Sequence, residues 1–172
     1  MKKITFILLI ALISGSAFAQ NGASATGSAI VNAEVVSPIA ITPVTNLDFG
    51  RLIGNEAGGV VTVLASSAGT RTSTNDDVLA LTGNAPAAAK FNVIAATDYT
   101  YSISLSSTNE LTSEATGAVA MPVTFVHNLK DTGNAGNGST PIELFVGGAL
   151  TVNSGQAEGT YAGEVSVTVT YE

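Results

Sequence analysis

Side chains able to do chemistry are sparse in this chain. There is one histidine, His127, and no cysteine. A serine–histidine–aspartate relay would depend on His127 alone, and a thiol nucleophile is excluded. His127 closes an apolar stretch beside Asn128, the setting of an ordinary strand-end histidine. Asp131-Thr132-Gly133 matches the aspartic-protease triplet by letters. That chemistry needs two carboxylates sharing a proton, and an apolar strand leading into the triplet. Here Lys130 precedes it and a Gly/Asn loop follows. A calcium loop starting at Asp131 would need oxygen ligands at its third and fifth positions, where Gly133 and Ala135 stand. Asn75-Asp76-Asp77 offers oxygens for a weakly held divalent cation, but reads more plainly as an acidic turn. Tyr99 and Tyr101 share parity with Ile103 and Leu105, which makes them core residues before a sugar-stacking platform. No phosphate-binding or dinucleotide glycine pattern occurs. The residues argue for no enzyme, no cofactor and no metal.

The elements that would position these groups follow a leader. Lys2 and Lys3, an apolar run from Ile4 to Ile13 broken by Thr5, and Ala17-Phe18-Ala19 have the form of a cleaved signal peptide over residues 1–19. The apolar run is about half of the ~20 residues needed to span a bilayer, so no transmembrane span is expected. The mature chain, 20–172, would be exported to the periplasm, the outer surface or the medium. It keeps four basic residues, Arg51, Arg71, Lys90 and Lys130, against thirteen acidic ones, a net charge near −9. Such a surface repels phosphate backbones and excludes nucleic acid as a partner. A mature length near 150 residues fits one domain and buries enough surface to be stable without disulfides.

Composition and periodicity point to an all-β fold. Hydrophobic residues make up 45% of the chain, but they come as short bursts between Gly, Ser, Thr and Asn. No window carries a helical stripe, and Ala85-Pro86-Ala87-Ala88-Ala89 reads as a turn. Strands are expected over 28–36 and 39–42, from Leu47-Asp48-Phe49-Gly50, and over 59–65. Others are expected at Phe91/Val93/Ala95, Tyr99/Tyr101/Ile103/Leu105, Val119/Met121/Val123/Phe125 and Ile142/Leu144/Val146, then Leu150/Val152 across Gly147-Gly148. The strongest alternation closes the chain, with Tyr161, Val165, Val167, Val169 and Tyr171 on one face and Glu164, Ser166, Thr168, Thr170 and Glu172 on the other. Many short strands without helices between them argue for an antiparallel two-sheet sandwich. Two long loops, 66–77 and 128–140, are candidates for function.

A resemblance narrows the expectation. It is carried by Ala33-Glu34-Val35-Val36-Ser37-Pro38-Ile39-Ala40-Ile41, by Leu47-Asp48-Phe49-Gly50, by Gly155-Gln156-Ala157-Glu158-Gly159-Thr160-Tyr161, and by the ending Val169-Thr170-Tyr171-Glu172. These resemble the pilin-like β-sandwich proteins of Gram-negative bacteria. More narrowly they resemble a domain-of-unknown-function family of small secreted proteins (DUF4402 type), related in pattern to spore-coat-U and chaperone–usher fimbrial subunits. Gly159 and Tyr171 stand where fimbrial subunits carry a glycine and a penultimate tyrosine. The resemblance implies an immunoglobulin-like (pilin-like) sandwich lacking one strand. A periplasmic chaperone fills the gap first, then the N-terminal extension of the next subunit. Val165, Val167, Val169 and Tyr171 would line that assembly groove.

The chain departs from the pattern by lacking the usual cysteine pair, Pro38 lying near the first of those places. Its candidate donor offers only Ala23, Ala25, Gly27 and Ala29 on one face, a small apolar area at ~0.8 kcal/mol per CH₂. Either the donor runs on into Val31 and Val35, or the sandwich is already complete. The expected function is a non-enzymatic structural or adhesive surface protein. It would assemble with itself or with other surface subunits by strand addition. The alternative is a self-contained secreted binding module acting through the 66–77 and 128–140 loops. Activity lost on changing His127 or Asp131 would instead mark a hydrolase.

Overall fold

The computed structural model describes residues 22, 24–54, 56–75, 78 and 85–172. The signal segment and Asp76-Asp77 lie outside them. Two units separate along the chain, Met1–Glu34 and Val35–Glu172. In the first, residues 24–34 form no strand or helix, and Ile30 and Val31 are almost fully exposed. The strand expected over 28–36 is therefore absent. Half of its alternating positions are alanines, too small a face to hold a strand by burial.

The second unit is all β among its described residues. Its strands are β1 (Ala40–Thr45), β2 (Gly59–Val63), β3 (Arg71–Ser73), β4 (Ala89–Ile94), β5 (Thr100–Ser107), β6 (Glu110–Leu111), β7 (Met121–His127), β8 (Asn134–Ala135), β9 (Ile142–Val152) and β10 (Val165–Tyr171). All pairings are antiparallel. Seven strands form one sheet and β10-β5-β8 form the other. This is the expected all-β, two-sheet antiparallel sandwich.

β9 is the spine. Its first half pairs with β4 (Phe91↔Leu144) and its second half with β2 (Val61↔Leu150). β7 pairs across the middle, from His127↔Val146 to Val123↔Leu150. Since β7 overlaps both partners, β4 and β2 share one edge of β9 and β7 takes the other. The handover falls at Gly147-Gly148, across which the apolar pattern passes from Ile142/Leu144/Val146 to Leu150/Val152. A Cβ on Gly147 would overlap the Val63 carbonyl and sit 2.6 Å from the Ala65 nitrogen, so only glycine lets the chain leaving β2 cross this closely.

The core has two parts. Val61, Val63, Met121, Val123 and Leu150 pack beneath the β2–β9–β7 end. Val93, Ala95, Tyr101, Ile103 and Leu144 pack between β4–β9 and β5, with Val167, Val169 and Tyr171 of β10 against them. Tyr101 is wholly buried, yet its hydroxyl has no hydrogen-bond partner among the described residues. An unpaired buried hydroxyl costs roughly 1–3 kcal/mol.

The long loops are partly structured. β3 folds back on β2 within 66–77. β8 closes one end of β5 within 128–140, where Asn134 Nδ2 donates to the carbonyls of Tyr101 and Lys130.

Tyr161 departs from its expected strand face. It precedes β10 in a corner, its hydroxyl donating to Ala157 O (2.9 Å) and accepting from Gln156 Nε2 (2.7 Å). Gln156 Nε2 also donates to Val119 O, and Asn153 joins Gln156 to Ala120 O. A tyrosine bonded a few residues back along its own chain is a recurrent corner device of β-sandwiches. It delivers the chain into β10.

Burial pushes the Tyr101 phenol above its ordinary value of 10.0. The folded chain therefore holds this proton where the unfolded chain releases it. The associated stability is whole below that value and falls as pH rises through the raised one. Tyr101→Phe should stabilise the protein by about 1 kcal/mol near neutrality. It should also remove part of the alkaline loss of stability, as read by chemical denaturation on either side of the phenol's ordinary value.

Candidate functional site

β10 lies at the edge of its sheet. It pairs with β5 along its whole length, from Val165↔Ser107 to Tyr171↔Tyr101. Two flanking bonds fix which main-chain groups are used. Glu172 N donates to Thr100 O, and Thr108 N donates to Glu164 O. Even-numbered residues of β10 thus point their N–H and C=O groups at β5. The odd-numbered ones, Val165, Val167, Val169 and Tyr171, point theirs away, and no strand pairs with that side among the described residues. Their side chains are half-buried and turn inward, while Ser166, Thr168 and Thr170 face solvent.

These four residues are the expected groove residues, and the structure brings them together on one face. The end of the strand is fixed by Tyr171. Its hydroxyl accepts from Ala96 N (2.7 Å) and donates to Ser37 O (3.0 Å), reaching from the smaller sheet to the chain entering β1. Its ring lies 5.8 Å from that of Tyr99. Alternation in the sequence identifies the face of Tyr171, but carries no signal for these two bonds.

The candidate chemistry lies elsewhere, where β5 and β7 diverge. They are held together at one end, with Val123 N donating to Asn109 O. At the other end the chain after β7 returns to β5, with Ile103 N donating to Asp131 O. Between these points is an open cleft of about 450 Å³ lined by Ile103, Leu105, Phe125, Leu129, His127 and Asp131, with Ser104 at its side.

His127 Nε2 lies 3.1 Å from Asp131 Oδ1; the histidine side chain is 8% exposed and the carboxylate 89%. Nδ1 is buried without a partner among the described residues. A relay needs one ring nitrogen on a serine hydroxyl and the other on an orienting carboxylate. Here one nitrogen meets a solvated carboxylate and the other meets no polar partner, so the wiring of a nucleophile–base pair is not formed among the described residues. Gly133 N, in the Asp-Thr-Gly triplet, donates to the Glu172 carboxylate (3.2 Å). No cluster of three metal-ligating side chains occurs among the described residues, and none of their helices is long and apolar enough to cross a membrane.

Fold and edge together define an antiparallel two-sheet β-sandwich whose edge strand β10 has no partner on its outer side among the described residues. The model of the domain of unknown function DUF4402 matches residues 39–171, and the chain belongs to that family. The match begins at the entry to β1 and ends with β10. No curated protein and no solved structure matches the chain.

Tyr171→Phe keeps the ring and removes both bonds of the hydroxyl. It should cost about 1–2 kcal/mol in urea denaturation. Exchange of the Ala96 amide should accelerate beyond that of its neighbours.

Proposed function

We propose that the chain is an exported, non-enzymatic subunit of a surface assembly, pilin-like in mode, whose β10 edge accepts a strand from a neighbouring subunit. One observation carries the reading: the outward main-chain groups of Val165, Val167, Val169 and Tyr171 stand beside a continuous apolar face with no strand on them among the described residues. A row of free N–H and C=O groups is a template for one ligand above all, another extended chain. Its hydrogen bonds supply attachment, and alternate side chains reaching the apolar face supply register. The resemblance to chaperone–usher subunits supports the same mechanism, with a periplasmic chaperone holding the edge before assembly.

The donor in this reading is the N-terminal segment of another copy. Ala23, Ala25, Gly27 and Ala29 make a poor donor face, but the segment continues into Val31 and Val35, exposed by 90% and 97%. Filling pockets with the two valines would contribute roughly 1.5–3 kcal/mol each. Export through residues 1–19 places the mature protein in the periplasm, on the outer surface or outside the cell.

A second reading, a self-contained binding module, draws on the β5–β7 cleft, because Leu129 and Asp131 bring the 128–140 loop to its lining.

The test is assembly of the purified mature chain, followed by native gels and electron microscopy. The unmodified protein should form ladders, and a Val31→Asp/Val35→Asp variant should lose them and run no larger than a dimer, with unchanged melting. Ladders unaffected by the double substitution, or none from the unmodified chain, would contradict the proposal.

A further inference from the structure

We infer that the outer edge of β10 is self-complementary, and that two copies of this chain pair β10 to β10 about a two-fold axis at Thr168. The inference rests on the reading of this edge as an acceptor of strands and names one partner for it, the same edge of a second copy.

The register argues for it. With Thr168 opposite its own counterpart in antiparallel pairing, Val167 meets Val169 and Val165 meets Tyr171 of the other copy. Those are the residues whose N–H and C=O groups point away from β5, so each such pair can exchange both main-chain bonds. Every outward group from Val165 to Tyr171 finds its acceptor or donor. No shift leaves more of the seven-residue strand paired.

The side chains agree on both faces. Inward, Val–Val and Val–Tyr neighbours extend the apolar face across the junction, the aromatic and β-branched pairs that stabilise sheets. Outward, Ser166 meets Thr170 and Thr168 meets Thr168, uncharged hydroxyls that tolerate close approach. Between Glu164 and Glu172 the strand has no charge, proline or bulge of the kind that guards exposed edges. Glu164 would oppose Glu172 of the other copy at both ends. Those like charges penalise the pair and keep it weak enough for a donor strand to displace. The junction would join two three-stranded sheets into one, and isologous pairing of this kind is the commonest route to a closed dimer. The pair would cap the assembly edge until a donor takes it.

The axis supplies the test. The groups of Thr168 point at β5, so the Thr168 pair across the axis is of the non-hydrogen-bonded type, with Cα atoms about 4.5 Å apart. That is within the range a disulfide spans. The chain has no cysteine of its own. In the full mature chain, Thr168→Cys should form a disulfide-linked dimer under mild oxidation at least tenfold faster than Ser139→Cys, on the exposed 128–140 loop. Thr168→Lys places two like charges face to face only in this dimer. It should sediment as monomer at concentrations where the unmodified chain is paired, yet still bind a synthetic peptide of residues 28–36.

Cross-linking no faster than at the loop control, or Thr168→Lys sedimenting like the unmodified chain, would overturn the inference. If the peptide still binds in that case, the edge remains an acceptor and only the symmetric pair is wrong. If the peptide binds neither protein, the acceptor reading fails and the inference with it.

Discussion

Among the described residues half of the main chain of β10 is satisfied and half is not, and the rest of the structure is best understood from that imbalance. Its even-numbered residues are tied to β5, while its odd-numbered ones offer N–H and C=O groups away from the sheet. Exposed strand edges are usually protected by charge, proline or a bulge, because any extended chain can add to them. β10 has none of these between Glu164 and Glu172.

The fold holds that edge in place from both ends. Tyr161, with Gln156 and Asn153, fixes the corner from which the chain enters β10. Tyr171 fixes the exit through Ala96 and Ser37. Beneath the strand, Val167, Val169 and Tyr171 rest against a core built on β4, β5 and β9. β9 can serve as spine for three partners because glycine at position 147 lets the chain leaving β2 pass over it. Edge, core and corner are one arrangement, and loosening any of them would blur the register on which strand addition depends.

Period-two patterning revealed the fold class because a strand buried on one face must alternate. The inward set of β10 is legible for that reason. The same logic fails where burial does not decide. Tyr161 has the right parity for β10, but its hydroxyl bonds hold it in a corner. Nothing in the period shows why Gly147 must be glycine: close backbone approach demands it inside the strand. The two-residue strands β6 and β8 are too short to show a period, and β3 hides in a run of Ser and Thr. The pattern at 28–36 is visible, but too little apolar area stands behind it. For His127 the sequence supports a strand-end residue, and its place on the inner face of β7 beside Asp131 depends on how the chain turns back to β5.

Among the described residues the chain's one histidine lacks the wiring of a nucleophile–base pair, while its most regular strand, β10, has an unpaired side. The measurement that bears most directly on this account is hydrogen exchange of individual β10 amides in dilute solution. The account expects alternation: Ser166, Thr168 and Thr170 protected by β5, and Val165, Val167, Val169 and Tyr171 exchanging rapidly until a partner strand is added. Uniform protection along β10 in the dilute monomer would mean that the edge is already filled, and uniform rapid exchange would mean that β10 is not held in the sheet; either result would contradict the account.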